Sequence, residues 1–320
     1  MATVGSVTNV LGRDAVRVGS LCTGIAGLEL GLRLAGINVE PVFVSDIDDG
    51  ANTWLAANMP DTPNLGDFTA LDELPEVDLI TAGFPCQPVS TAGLRKGVED
   101  ERWIFDDIAR LVGRMGSRPL LFVENVSGLL SANDRRAFSR VVHGLADIGY
   151  HITWGTLPAV AVGAPHRRLR WWGLAYPADA TSTEWRGSKQ QDLPSPTGSA
   201  PESGERSSSL ADRFGPYAPA INRWERILGR PAPDPTDNGR LNPPFVEWMM
   251  GYPSDWVTGT LTRRNDSLKA LGNAVVPQCA VAAFTQLASR LPQCTDQTST
   301  TTWNSPASSS SDGISTKTNP

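Results

Sequence analysis

Short apolar runs alternate with helix-period segments through the first half of the chain. Val16 to Cys22 predicts a first strand, and Val39 to Ser45 a second that ends at Asp46. Val77 to Ala82 and Leu120 to Val123 are apolar without a break, the pattern of strands covered on both faces. Asn64 to Thr69 reads as a short strand carrying Asp67. Helices are predicted over Asp49 to Met59 and Arg102 to Met115, where Ile104, Ile108, Leu111, Val112 and Met115 share a face. Another runs to about Ile148, with Ser131 or Asn133 as its cap. Leu28 to Ala35 is ambiguous. Leu28, Leu30, Leu32 and Leu34 alternate as in a strand, while Leu28, Leu32 and Ala35 share a helical face and Gly36 suits a helix stop; a helix is the expectation. Tyr150 to Val162 is strand-like, and Arg168 to Ala175 alternates briefly as another strand.

Strands alternating with helices imply an α/β domain built on a doubly wound, mostly parallel sheet. It is expected over residues 16–176, after a loose arm at 1–15. From 177 to 240 Pro, Ser, Gly, Arg and Trp dominate and clear periods vanish, which predicts a small irregular second domain. Helical signal returns at Phe245 to Met250 and from Leu268 to Leu291, within a 241–291 segment. Residues 292–320 are rich in Ser, Thr, Asn and Gln and are expected to be disordered. The remaining composition narrows the class. No apolar run nears the roughly 18 residues of a membrane span, and the first 16 residues lack the pattern of a signal peptide. Cys22, Cys86, Cys279 and Cys294 are scattered, as are the three His. A metal-free, cytoplasmic protein is therefore expected. The net charge of −6 does not suggest nucleic acid, but its distribution is uneven. Residues 1–160 carry 12 Lys/Arg against 20 Asp/Glu, and residues 161–274 carry 14 against 12.

Candidate chemistry centres on Gly83-Phe-Pro-Cys86-Gln-Pro-Val-Ser90, which follows a buried strand. Gly83 and Pro85 end that strand, and Pro85 and Pro88 restrict the residues before them. Cys86 thus sits on a stiff turn at the carboxyl rim of the sheet, where open α/β sheets bind ligands. It is either a nucleophile or a small buried turn residue. Gly24-x-x-Gly27 lies between strand and helix, with Asp46 nineteen positions after Gly27. That layout suits a ribose held by a carboxylate, and equally a plain tight turn. Glu124 ends a buried strand and is a candidate acid or a solvated cap; Arg168 and Arg170 fall on one face of a strand.

Gly-Phe-Pro-Cys-Gln with its following Ser resembles the catalytic motif of the DNA (cytosine-5) methyltransferases. Further motifs of that family follow in order from Leu21 to Pro277: the glycine loop, Glu124-Asn-Val126, His166-Arg-Arg-Leu-Arg170, Glu247…Gly251-Tyr-Pro253 and Leu271-Gly-Asn-Ala-Val-Val-Pro277. The resemblance implies the fold of the S-adenosylmethionine-dependent methyltransferases. It places the methionine part of that cofactor near Leu21, Thr23, Gly24 and Gly27, its ribose on Asp46, and its adenine between Ile47, Asp67 and Phe68. Asn273 and Ala274 would complete the pocket. Asp46 departs from the family's more common Glu at the ribose.

The resemblance also implies the chemistry. Cys86 would add to carbon 6 of a flipped-out cytosine, making carbon 5 nucleophilic. Glu124 would hold ring nitrogen 3 and the amine, with a pKa raised by a closed pocket. Arg170 would meet the ring oxygen and brace Glu124, and Arg168 would point into the same pocket. The loop from Ser90 to Glu101 would close over DNA, with Ser90, Arg95 and Lys96 on the substrate side; Asn125, counted with them, would orient the turn. Residues 177–240 would be the target-recognition domain, offering Trp185, Arg186, Arg213, Arg223, Trp224, Arg226 and Arg230. Double-stranded DNA is the implied partner and a monomer the expected state, with a cognate restriction endonuclease left open as a second partner. Transfer RNA as substrate and a non-catalytic DNA-binding module are the alternatives. Asn242-Pro-Pro-Phe245 resembles the active-site signature of amino-methyltransferases, but a helix-like stretch follows it where those enzymes need a strand end, so it is taken as coincidence.

Overall fold

Residues 14–85, 103–179 and 210–291 are described in the structure, a computed structural model. Six strands form one sheet: β1 (Val16–Leu21), β2 (Val39–Ser45), β3 (Leu79–Gly83), β4 (Leu120–Val126), β5 (Tyr150–Pro158) and β6 (Leu169–Pro177), in the order β2-β1-β3-β4-β6-β5. β2, β1, β3 and β4 run parallel, and β6 is antiparallel to both of its neighbours. The doubly wound, mostly parallel sheet expected from the sequence is the fold observed.

Side chains of the central strands alternate between two cores. Leu79, Leu120, Phe122, Trp172 and Leu174 pack on one face with α1 (Gly27–Leu34) and α8 (Pro277–Ala288). Ile80, Leu121, Val123, Trp171 and Ala175 pack on the other with α3 (Phe105–Arg114) and α4 (Arg136–Asp147). This two-sided burial is why these strands read as unbroken apolar runs. Gly19 in β1 is required by packing, since a Cβ there would lie 2.2 Å from Cζ of Phe43. Strand order reverses between β1 and β3: the chain runs from β1 outward to β2 and then crosses back to β3 on the other side of β1. A crevice opens at the carboxyl ends of strands at such a point.

The ambiguous Leu28–Ala35 stretch is helical, and Gly36, at φ +85°, ends α1 as expected. Four expectations need correction. Asn64–Thr69 forms a single bridge, Val44 to Asn64, followed by a 3-10 turn at Phe68–Ala70. The Asn64 side-chain Oδ1 takes the Gly66 N–H at 3.0 Å and turns the chain, with Gly66 at φ +66°. α4 begins at Arg136 behind two 3-10 turns, with Arg135 at the cap position, so neither position 131 nor 133 caps it. The 268–291 region is two helices, α7 (Arg264–Asn273) and α8. Pro277 restricts Val276 to an extended conformation and breaks the run. Residues 177–240 also contain a regular element, α5 (Ala218–Leu228), which buries Ile221 and Trp224 in the first core.

Trp224 is fully buried and donates from Nε1 to the Trp248 carbonyl at 3.0 Å, so it is no groove residue. Arg213 pairs with Asp234, Arg223 donates to the Gly163 carbonyl and Arg230 to Ser254 and the Tyr252 carbonyl. These arginines tie the segment to itself and to the sheet domain. α6 (Pro243–Met249) confirms the expected helix there. Asn242 follows a two-residue strand of a separate ribbon, β7 (Thr236–Asp237) with β8 (Arg240–Leu241), and donates to the Asp234 carbonyl. It is not at a strand end of the main sheet, as an amino-methyltransferase signature would be. The arm at 1–13, the 292–320 tail, Trp185 and Arg186 lie outside the described residues.

Candidate active site

A cavity of about 780 Å³ opens at the carboxyl ends of β1, β2, β3 and β4. Thr23, Gly24, Gly27, Asp46, Ile47, Asp67, Phe68, Glu124, Asn125, Arg168, Arg170, Asn273 and Ala274 all line it. Residues expected from segments spread over 250 positions thus converge on one space. Cys86, Ser90, Arg95 and Lys96 lie outside the described residues, but Pro85, the residue before Cys86, is on the wall.

One half of the cavity is a cradle of loops. Gly24 sits at φ +58° and its N–H donates to Asp46 at 2.7 Å. The other Asp46 oxygen takes the Asp48 N–H at 2.9 Å. Asp46 therefore pins the loop after β1 to the loop after β2, and each oxygen keeps a lone pair for a further donor. Thr23 is buried and bridges the same loops through its hydroxyl, which takes the Ser45 N–H at 3.2 Å. Asp67 accepts from the N–H and hydroxyl of Thr69 on Oδ1 at 3.0 and 2.6 Å. Its Oδ2 makes no hydrogen bond among the described residues. Ile47 is 71% exposed, a large apolar side chain left uncovered at the rim, and Phe68 is a buried wall opposite. A planar apolar group with an amine edge, carried on a diol, matches these donor-seeking carboxylates and apolar faces.

Leu21 is a correction. Successive side chains on a strand face opposite ways, so Ser20 and Cys22 reach the cavity while Leu21 is buried in the core behind it. Burial, with Asp46 and Asp67 nearby, pushes the Cys22 thiol far above the usual range.

The other half holds buried charge. Glu124 is 6% exposed, between Gly83 of β3 and Trp172 of β6. A Cβ added at Gly83 would lie 3.8 Å from Glu124 Oε2, so glycine keeps the carboxyl's flank open. Arg170 Nε lies 2.9 Å from Oε1. Burial raises the Glu124 pKa above the carboxylate range, and the Arg170 and Arg168 guanidiniums pull it partly back. Arg168 points into the cavity as expected, but its Nη2 donates to the carbonyls of Gly272 and Ala274 at 2.9 and 2.5 Å. It therefore holds the α7–α8 joint against the charged half. Its buried Nε has no partner among the described residues, and burial beside Arg170 lowers its pKa to about 10.

Asn125 is a second correction. It is 1% exposed, donates to the Phe84 carbonyl at 3.3 Å and accepts from the Val126 N–H at 2.7 Å. Both ends of its amide serve the fold, so it orients the segment leading to Cys86, as expected, and neither end is left for a substrate. His166 likewise bonds the Met249 carbonyl and stays behind the wall.

Two further buried residues, both in the Glu247…Pro253 motif, shape this site. Glu247 accepts from the N–H groups of Asp255, Val257 and Thr258 and from the Thr258 hydroxyl, organising the 255–258 loop. Tyr252 packs behind Gly27. The Glu…Gly-Tyr-Pro motif pointed to both, but not to their partners.

Similarity to known proteins identifies the fold and the family. A Spodoptera frugiperda DNMT2 variant aligns with a TM-score of 0.58 at 18% identity, covering 86% of this chain and 99% of that one. S. pombe Dnmt2 methyltransferase aligns with a TM-score of 0.55 at 18% identity, covering 86% and 98%. These establish the shared fold. Among curated proteins, the type II methyltransferase M2.BsuMI of Bacillus subtilis (strain 168) is 33% identical over 159 residues, 48% of this chain and 40% of that one. M.CviJI of Paramecium bursaria Chlorella virus IL3A is 37% identical over 163 residues, 50% and 42%. Each match spans less than half of the relative's length. The model of the C-5 cytosine-specific DNA methylases matches residues 16–215, more than half of the chain, and the chain belongs to that family.

Proposed function

We propose that this protein methylates carbon 5 of a cytosine flipped out of duplex DNA. The observation that carries the reading is the buried Glu124–Arg170 pair, facing the same cavity as Asp46 and Asp67 and adjoining the turn that leads into Cys86. The cradle half fits S-adenosylmethionine: Asp46 would take the ribose hydroxyls, Asp67 the adenine amine, and Ile47 and Phe68 the adenine faces. Thr23, Gly24, Asn273 and Ala274 would line the methionine end. When bound, S-adenosylmethionine supplies the electrophilic methyl group that carbon 5 takes.

The chain's own residues prepare the cytosine. The Cys86 thiolate adds to carbon 6 and the ring electrons move toward carbon 5. Glu124, its pKa raised by burial, hydrogen-bonds nitrogen 3 and offsets the charge that develops there. Arg170 fixes that carboxyl and reaches toward the ring oxygen. Loss of the carbon 5 proton then expels the thiolate and restores the ring. Cytosine inside a duplex cannot present carbon 6 to a thiolate, so the base must leave the stack. Ser90, Arg95 and Lys96 would contact the DNA backbone from the 90–101 loop, and residues 177–240 would select the sequence.

Incubation of the protein with plasmid DNA and S-adenosylmethionine, followed by bisulfite sequencing, tests the reading. Protected cytosines in one recurring short sequence are the expected result. No protection on plasmid, with methylation of transfer RNA instead, would move the substrate to RNA. Methylation of neither would leave a non-catalytic module.

A further inference from the structure

We propose that Tyr252 is a positioning residue for the donor cavity, its hydroxyl setting the distance between the glycine loop and the α7–α8 joint. The inference rests on the donor reading above. Tyr252 is fully buried and donates to the Val275 carbonyl at 2.9 Å. A Cβ on Gly27 would lie 2.2 Å from that hydroxyl oxygen and 2.9 Å from Val275 Cγ2. Gly27 therefore lacks a side chain because the tyrosine hydroxyl fills the space behind it. Gly27 and Val275 both line the cavity, so this one hydroxyl spaces two of its walls. Burial pushes the phenol far above its ordinary pKa, so it remains a donor at any working pH.

Tyr252 is itself held by the recognition side of the chain. Arg230 donates to its carbonyl, and its N–H donates to the Glu247 carbonyl at 3.2 Å. Gln278 Nε2 donates to the Gly251 carbonyl at 2.9 Å. Four residues on, Trp256 Nε1 donates to the Ile25 carbonyl at 3.0 Å, on the glycine loop itself. The 247–257 segment is thus wedged between both donor-side walls while Arg230, just beyond α5, grips it from behind. A shift of that segment has to move Gly27 or Val275, because packed interiors do not deform continuously. Coupling of this kind is reciprocal between binding sites.

Calorimetric binding of S-adenosylhomocysteine to the full chain tests the inference without relying on turnover. Tyr252→Phe keeps the ring and removes only the hydroxyl. It should weaken binding about tenfold, about 1.4 kcal/mol by that ratio, and leave duplex affinity without donor within twofold. Gly27→Ala should weaken donor binding further. The double variant Gly27→Ala/Tyr252→Phe should bind more tightly than Gly27→Ala alone, because the 2.2 Å clash is relieved. Thermal melts of each variant identify any that has simply unfolded, and Tyr252→Phe is the conservative arm that stands without the glycine variants. Wild-type affinity in Tyr252→Phe, an equal loss of duplex affinity, or no rescue in the double variant would overturn the proposal. Failure of the wild-type protein to bind S-adenosylhomocysteine would instead overturn the donor reading itself, and this inference with it.

Discussion

Arg170 Nε sits 2.9 Å from Glu124 Oε1, across two antiparallel strands. In the ladder Arg170 faces Val126 and Trp172 faces Glu124, so the ion pair is a diagonal one. Pairing sets the register, and the register delivers a buried carboxyl with its own counter-charge to the cavity. A buried pair of this kind is weak support for stability and strong support for a specific job.

Glu124 gives a pH signature. Its folded pKa is raised, so the native state binds more protons than the unfolded chain above the ordinary carboxylate value of about 4.3. The contribution of its protonated form to stability is full below that pH and is lost as pH rises to the folded pKa. The stability of wild type relative to Glu124→Gln should therefore fall as pH is raised from 4 and then level off. Urea denaturation of both proteins from pH 4 to 8 measures it, and a relative stability that rises with pH would refute the assignment. Turnover of Glu124→Gln should be lower by at least about 10²-fold, the usual worth of a positioned acid.

Arg170→Ala removes a cation that pulls the Glu124 pKa down. The alkaline fall in activity that reports Glu124 should then move to higher pH, together with a loss in turnover. Arg170→Lys should keep the limb nearer the wild-type position. Rate profiles across pH on a saturating duplex would show whether the limb moves.

Gly31 offers a packing test remote from the chemistry. Its Cβ would lie 2.5 Å from the Ala280 Cβ, so α1 and α8 meet at a glycine. Alanine is favoured over glycine by about 1 kcal/mol in a helix interior. Gly31→Ala should nonetheless destabilise, by about 1–3 kcal/mol, because the core is overpacked. Equilibrium denaturation decides the sign.

Much of the fold was readable because its strands are buried on both faces. The runs at β1, β2, β3 and β4 and the stripe of α3 announce themselves, and they bring Asp46, Glu124 and Pro85, the residue before Cys86, to one rim. What stayed hidden depends on partners distant in sequence. Asn64–Thr69 has strand composition, yet the Asn64 side chain bends it into a turn. α5 is masked by its Pro, Arg and Trp content, and only the Trp248 carbonyl 24 residues away makes Trp224 a core residue. Strand parity alone could have excluded Leu21 once Ser20 and Cys22 were set facing the cavity. Asn125 and Arg168 sit within the right motifs, but only the Phe84, Gly272 and Ala274 carbonyls reveal what their polar atoms hold.

Glu247 carries a stability prediction of its own. Its carboxylate accepts four hydrogen bonds from residues 255–258. Glu247→Ala would leave three backbone donors without this acceptor and should cost about 3 kcal/mol or more. The exposed Lys269–Asp48 pair provides the contrast, and Lys269→Ala should cost less than about 1 kcal/mol. Thermal melts of the two variants side by side would rank them.

Whether Cys86 attacks a cytosine can be read from covalent trapping. Duplex DNA of mixed sequence carrying 5-fluorocytosine is incubated with protein and S-adenosylmethionine, then run on a denaturing gel. Fluorine at carbon 5 blocks proton loss, so an enzyme that has added its thiolate stays joined to the DNA. The expected result is a shifted band that needs S-adenosylmethionine, disappears in Cys86→Ala and persists when Cys279, whose thiol burial pushes up to about 12, is replaced by alanine. A band that survives in Cys86→Ala, or none on DNA that the protein demonstrably methylates, would contradict it.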